Sequence, residues 1–282
     1  MRVISDITEM TSFSRKIIAA GKTIGFVPTM GYLHAGHLSL VERAKKECDI
    51  IILSIFVNPA QFGPKEDLAA YPRDLMRDLK LLKPLKVDIV FNPQAKEMYP
   101  SGCKTFVNID GDLTQKLCGA FRPIHFKGVL TVVAKLLNIV LPHKAYFGEK
   151  DAQQCVVIKK MCKDLKFPVK IITLPTIREK DGLAMSSRNT YLTTEERKSA
   201  PMIYKTLLMA EKMIDDGELR GKKVITAMKK KLKSMKNAEI QYISIVNSDT
   251  LEDRANISGE IIIALALKLG KTRLIDNIVM SV

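Results

Sequence analysis

The sequence predicts an α/β protein: a doubly wound parallel-sheet domain over residues 1–176, followed by a smaller α+β domain over residues 177–282. Three observations carry this. Strand-like and helix-like runs alternate through the first two-thirds of the chain. Asp49–Val57 is a continuous β-branched, Ile-rich run, its apolar part Ile50–Val57 broken only by Ser54, the composition of a strand buried on both faces of a parallel sheet. After about Pro175 the rhythm changes, with helices grouped and then strands grouped.

Taken in order, Thr23–Val27 reads as a short strand stopped by Pro28. Gly36–Cys48 reads as a helix, with His37, Leu40, Val41, Ala44 and Cys48 on one face. A polar helix over Asp74–Leu82 follows the Asp49–Val57 strand, and Val87–Phe91 is the next strand, with Pro93 and Pro100 marking loops. Phe126–Val140 is a strongly apolar helix ended by Pro142. Ala145–Phe147, Ala152–Leu165 and Val169–Leu174 read as strand, helix and strand. Repeated strand–helix–strand units imply right-handed crossovers. The second domain is expected to hold helices over Thr194–Asp216 and Gly221–Met235, then strands over Ile240–Val246, Ile261–Leu267 and Arg273–Asn277.

Composition excludes several classes. With 46% hydrophobic and 27% charged residues, the 282-residue chain is that of a globular protein with a substantial core. Five cysteines without C-x-x-C spacing read as reduced thiols rather than a disulfide framework or zinc site. The N-terminal segment lacks the apolar stretch of a secretory signal, and no apolar run approaches the length of about 20 residues that a spanning helix needs. A cytoplasmic protein with no membrane partner is expected. The net charge of +15 raises nucleic-acid binding. In the densest basic run, Arg220–Lys236, however, Val224, Ile225, Met228, Leu232 and Met235 recur at helical spacing, which makes the lysines the wet face of an amphipathic helix. No aromatic residues interleave with them to stack bases, so no nucleic-acid partner is expected.

Four constellations carry possible chemistry. VPTMGYLHAGH (Val27–His37) puts a Gly turn and two histidines, His34 and His37, between a strand and a helix start, where free N–H groups and partial positive charge attract anions. A capped core histidine and a zinc pair are the competing explanations. Asn58 and Gln61, directly after the long strand, suit uncharged recognition of a polar ligand, or simply a turn. Gly148-Glu149-Lys150-Asp151 joins a turn, a cation and a carboxylate at another helix start, matching phosphate and ribose contacts or plain helix capping. Met185-Ser186-Ser187-Arg188 offers two hydroxyls and a guanidinium on a loop, suited to a polyphosphate. Gly21-Lys22-Thr23 and Gly270-Lys271-Thr272 lack the upstream glycine of a P-loop.

Together, PTMGYLHAGH, FVNPAQFG, YFGEKDAQQ and DGLAMSSRN, in this order, closely resemble the pantothenate synthetase (pantoate–β-alanine ligase) family. The H-x-G-H resembles the HIGH signature of the nucleotidyltransferase superfamily and MSSR its KMSKS counterpart; the likeness runs from about residue 3 to the closing RLIDN, Arg273–Asn277. The resemblance implies a Rossmann-like N-terminal domain with a C-terminal lid domain, a homodimer, and Mg²⁺-dependent, ATP-driven condensation of pantoate with β-alanine through pantoyl adenylate. It implies that His34, His37, Lys150, Ser186, Ser187 and Arg188 hold the ATP phosphates, with His37, His34 and Lys150 acting catalytically. It places Gly148 and Asp151 along the ribose, Met30 and Met185 in the nucleotide pocket, and Gln61 and Gln154 on pantoate with Asn58 in support; no residue is assigned as a metal ligand.

The stretch LCGAFRPIHFKG departs from the family's pattern: Cys118 stands where an acidic residue is usual, and Ile124 where glycine is usual. Because Ile does not adopt positive φ cheaply, a different loop geometry is expected there. Two other functions remain open on the sequence: a cytidylyl- or adenylyltransferase whose product keeps the nucleotide, and an RNA-binding relative of tRNA synthetases.

Overall fold

The structure, a computed structural model, describes residues 1–64 and 66–282. In chain order the elements are β1 (Arg2–Ile4), α1 (Ile7–Ala19), β2 (Ile24–Thr29), α2 (Ala35–Glu47), β3 (Ile50–Ile55), α3 (Leu75–Leu82), β4 (Ile89–Phe91), α4 (Ala95–Met98), α5 (Cys118–Phe121), α6 (His125–Val140), β5 (Lys144–Gly148), α7 (Ala152–Asp164), β6 (Lys170–Leu174), α8 (Thr194–Ser199), α9 (Met202–Asp215), α10 (Gly221–Leu232), β7 (Ala238–Asn247), β8 (Glu260–Leu269) and β9 (Thr272–Ser281). The chain forms two compact units. The first comprises Met1–Asp110, Arg122–Gly148 and Val157–Pro175; the second comprises Gly111–Phe121, Glu149–Val156 and Thr176–Val282.

The sheet of the first unit is parallel throughout, in the order β1-β4-β3-β2-β5-β6. Counting β2 as the first strand of the Rossmann pattern, β4 to β6 run 3-2-1-4-5, and the order reverses between β2 and β5. The expected doubly wound Rossmann-like sheet is therefore present. The Ile-rich strand β3 is buried over Ile51–Ile55, as a central strand must be, and α2 turns Leu40, Val41 and Ala44 inward. Helix α6 is buried over most of its length and packs against α1 and β2. It ends where Leu141 turns left-handed (φ 50°) and Pro142 removes the next donor.

Three details differ from the sequence expectation. Strand β2 does not stop before Pro28 but runs to Thr29, pairing Pro28 with Ser54 of β3. Its ladder to β5 covers only Gly25 and Phe26, so Pro28 lies beyond the point where a donor is needed on that side. The helix expected over Thr194–Asp216 is two helices, α8 and α9, broken at Ala200-Pro201, because proline lacks the N–H and its ring crowds the preceding turn. Ile124 has φ −94°, an ordinary right-handed residue directly before α6, so it imposes no left-handed strain; the positive φ in that stretch belongs to Leu117 (48°).

The second unit carries the antiparallel sheet β7-β8-β9 with α8, α9 and α10, the expected smaller α+β architecture. Its core joins Ile203, Leu207, Val224, Met228 and Leu232 to Ile261, Ile263, Leu265 and Leu267. In α10, Gly221, Val224, Met228 and Leu232 are buried, while Lys222, Lys223, Lys229 and Lys230 are exposed. The basic run is thus the wet side of a packed helix. Leu265 is fully buried on the central strand of this sheet. Replacing it with alanine is expected to cost about 2–5 kcal/mol, read as a lower urea midpoint.

Candidate active site

In the first unit, the turn leaving β2 is tight. Gly31 has φ 81° and Tyr32 φ 49°, two left-handed residues in succession. A side chain at 31 has no room: its Cβ would lie 2.9 Å from Ile55 Cγ2 and 3.1 Å from Asp78 Oδ2. The Tyr32 and Leu33 N–H groups donate to Asp78 Oδ2 and Oδ1, both at 2.7 Å. Neighbouring Arg77 donates to Leu33 O at 3.0 Å and lies 4.4 Å over the Tyr32 ring. Asp78 is 1% exposed; burial pushes its carboxyl above the usual range, against the opposing pull of the two N–H bonds and Arg77.

That clamp delivers the chain to α2. His34 is the residue before the helix, and its Nδ1 accepts from Gly36 N at 3.2 Å, while His37 Nδ1 accepts from His34 N at 3.3 Å. The rings lie 4.1 Å apart at 38°. A ring nitrogen that accepts carries no proton, so in each ring Nδ1 is the acceptor and Nε2 the atom that can carry one. Nδ1 of each ring thus serves the start of the helix.

After β3, Asn58 starts a short 3-10 turn (Pro59–Gln61). Asn58 is 1% exposed and Gln61 7%. Tyr99 OH donates to Asn58 Oδ1 at 2.8 Å, and Asn58 Nδ2 donates to Gln61 Oε1 at 3.0 Å and Gly128 O at 3.1 Å. With its oxygen so engaged, Gln61 presents its NH₂ end; one bond runs to Met30 Sδ at 3.1 Å, bringing Met30 and Gln61 together. Burial pushes the Tyr99 hydroxyl far above its usual range, keeping it a donor. The Gln61 backbone oxygen meets His125 Nδ1 at 3.1 Å, and Arg122 Nη1 contacts His125 Nε2 at 3.1 Å. Gly128 permits this packing, because a Cβ there would collide with the backbone of Ala60 and Gln61.

Gly148, the last residue of β5, leads into the second unit through a 3-10 turn, Glu149–Asp151, and then α7. Lys150 Nζ lies 3.6 Å from Asp151 Oδ1. Gln154 is half-buried on the first turn of α7, while its neighbour Gln153 is buried and bonded to Cys118 N, Leu113 O and Lys116 O. Cys118 Sγ lies 3.2 Å from Tyr242 OH and 3.4 Å from Arg273 Nη2. Further along, Met185 N donates to Ile177 O at 3.0 Å, and Ser186 caps the 3-10 turn Ser187–Tyr191 by accepting from Arg188 N at 3.2 Å. Asn189 ties this loop to Ala184 O and Glu179. Among the described residues no group of three or more His, Cys, Asp or Glu is arranged to hold a metal ion.

The structure thus groups Met30, His34, His37, Asn58 and Gln61 in the first unit, and Lys150, Asp151, Gln154, Met185, Ser186, Ser187 and Arg188 in the second, with Gly148 at the end of β5. Sequence reasoning missed the residues that hold them, notably Asp78, Tyr99 and Arg178. For Asp78 a signal existed: it sits on the face of α3 shared by Leu75, Leu79 and Leu82, where a charge is out of place unless it has a buried task.

A 3-2-1-4-5 parallel sheet whose first strand opens into an H-x-G-H helix start defines an α/β enzyme of the nucleotide-binding class. The family model described as Pantoate-beta-alanine ligase matches residues 2–279, and the chain belongs to that family. It is 55% identical over 282 residues, the whole of both chains, to the pantothenate synthetase of Acetivibrio thermocellus. It is 56% identical over 276 residues to that of Thermoanaerobacter pseudethanolicus, covering 96% of this chain and 97% of the relative. Among solved structures, pantothenate synthetase from Thermus thermophilus superposes with a TM-score of 0.93 at 45% identity over 99% of both chains. The pantoate-beta-alanine ligase of Francisella tularensis, complexed with beta-gamma ATP and beta-alanine, gives 0.82 at 38% identity, over 99% of this chain and 97% of that one.

An acid whose folded pKa is raised is favoured in its protonated form. Its contribution to stability is greatest below the unfolded value and falls as pH rises through the folded one. Asp78→Asn removes that titration and loses an acceptor. Its stability deficit relative to the parent is therefore expected to narrow as pH rises above the ordinary carboxylate range in urea unfolding. A deficit that widens would show that the N–H bonds, rather than burial, dominate this carboxyl.

Proposed function

We propose that the chain condenses (R)-pantoate with β-alanine at the expense of ATP, giving pantothenate, AMP and pyrophosphate through pantoyl adenylate. The observation that carries this is the family match over residues 2–279, with all four motifs intact. In the first step a pantoate carboxylate oxygen bonds to the α-phosphorus as the bond to the pyrophosphate oxygen breaks. In the second, the β-alanine amine attacks the acyl carbon, loses a proton, and AMP departs with the acyl C–O bond's electrons. No protein nucleophile is needed.

What the chain supplies is oriented positive potential. His34 and His37 are assigned to the phosphates through Nε2 at the start of α2, where the dipole of a 13-residue helix adds partial positive charge. Lys150, Ser186, Ser187 and Arg188 are assigned to the same phosphates; Gly148 and Asp151 are assigned to the ribose, and Met30 and Met185 to the nucleotide's apolar contacts. Gln61, with Asn58 behind it, and Gln154 are assigned to pantoate. The NH₂ of Gln61, its oxygen being engaged by Asn58, suits an oxygen acceptor such as the acid's carboxylate or hydroxyl. Such donors act mainly by stabilising charge as it moves to the leaving pyrophosphate.

Mg²⁺ is proposed to travel with the triphosphate, since this ion ordinarily keeps phosphate oxygens and water as ligands; a dedicated carboxylate cage is not required. Bound there, it lowers the negative charge that the incoming carboxylate meets. The enzyme is taken to be a cytoplasmic homodimer without nucleic-acid or membrane partners. No helix among the described residues is long and apolar enough to cross a membrane.

The test is product release from ATP and Mg²⁺. Pantoate alone should give a single-turnover burst of pyrophosphate, and sustained AMP formation should require β-alanine as well. ATP left intact in every combination would sink the proposal. With the reaction established, His37→Ala is expected to lower kcat about 10²–10³-fold, the usual cost of removing one positioned donor.

A further inference from the structure

The RLIDN run, Arg273–Asn277, has no task assigned to it in this reaction. In the second unit it lies on β9, and its last two residues are buried, Asp276 at 3% and Asn277 at 5% exposure. Asn277 Nδ2 donates to two successive backbone oxygens, Glu149 O and Lys150 O, each at 2.9 Å. Two adjacent carbonyls aimed at one point need two hydrogens from one centre, which a primary amide supplies and a hydroxyl or carboxylate does not. The turn that carries Lys150 is thereby tied down through its main chain.

Asp276 reaches the other motif. Its carboxylate takes the Arg178 guanidinium as a fork, Nη1 at 2.6 Å and Nη2 at 3.0 Å, and accepts the Asn277 N–H at 2.8 Å. Arg178 in turn donates to Gly182 O at 3.2 Å and Asn277 O at 3.3 Å, and stacks 3.6 Å above the Tyr204 ring. Arg178 also forms a β-bridge with Ala184, directly before Met185-Ser186-Ser187-Arg188. One buried dipeptide on β9 therefore grips the Lys150 turn with one side chain and, with the other, the base of the loop bearing Ser186–Arg188.

We propose that Asp276 and Asn277 are positioning residues that hold Lys150 and the Ser186–Arg188 loop in one fixed relation, so that both address the same polyphosphate. Neither touches the nucleotide; each acts through what it holds. This rests on the assignment of Lys150 and the loop to ATP, and the experiment separates the two claims.

Binding of ATP and of adenosine is measured by calorimetry, with kcat, for the parent, Asn277→Ala, Lys150→Ala and the double variant. Asn277→Ala is expected to weaken ATP about tenfold and lower kcat about ten- to a hundredfold, the scale of a misplaced contact, while adenosine, which draws on that turn only through Asp151, weakens by a smaller factor. In the Lys150→Ala background the further loss of ATP affinity should shrink to less than about twofold, since a residue acting through Lys150 has nothing left to position. Arg178→Lys, which keeps the charge and loses the fork, should also weaken ATP and spare adenosine, and it serves where Asn277→Ala folds poorly. Equal weakening of ATP and adenosine, or full multiplication of the Asn277 and Lys150 effects, overturns the positioning role. Unchanged ATP binding in Asn277→Ala alongside a clear loss in Lys150→Ala overturns it too, leaving the assignment of Lys150 standing. Unchanged ATP binding in Lys150→Ala removes that assignment, and the inference with it.

Discussion

A carboxylate held out of water fixes the H-x-G-H turn of the first unit. The chain leaving β2 changes direction through two left-handed residues, which aims the N–H groups of Tyr32 and Leu33 away from any strand or helix partner. Buried donors of that kind must find an acceptor, and a single Asp78 serves both. Its placement follows from α3, whose other inward residues are leucines packed in the same core as β3. The position of His34 at the head of α2 is a consequence: shift α3, and the turn, the cap and both imidazoles shift with it.

The parts of the fold that were legible in the sequence are those governed by local pattern. Ile50–Ile55 could only be an interior strand, and α6 and α10 show their buried faces in their periodicity. The motif residues were legible because glycine turns and polar clusters fell at strand ends. What was hidden depended on distant partners. Pro28 looks like a stop until the short β5 ladder is known, and Ile124 looks like strain until α6 is seen to start beside it. Asp78, Tyr99 and Arg178 act on residues 45, 41 and 98 positions away, beyond the reach of any periodicity. Pro201 is the exception, a break plain in the sequence that the helical pattern on either side obscured.

Amides do much of the buried polar work. Asn58, Gln153 and Asn277 each bridge groups far apart in the chain, and each contributes donors to main-chain carbonyls. An amide satisfies such groups without placing a charge in a low dielectric, and its two ends differ, so it also sets direction. At Asn58 that direction passes to Gln61. Where carboxylates are buried instead, at Asp78 and Asp276, an arginine is in contact, and the backbone supplies further N–H donors.

The bond from Asn277 to the Lys150 carbonyl joins residues 127 positions apart. On a ribosome this has a plain consequence. The turn bearing Lys150 is synthesised long before the amide that holds it, so a nascent chain carries the motif in an untethered form through most of its remaining synthesis. Chains that lose β9 to premature termination or proteolysis would keep their H-x-G-H helix and lose the tether of the Lys150 turn. They would hold ATP more weakly and turn it over poorly, which makes the far end of the chain a checkpoint on the middle.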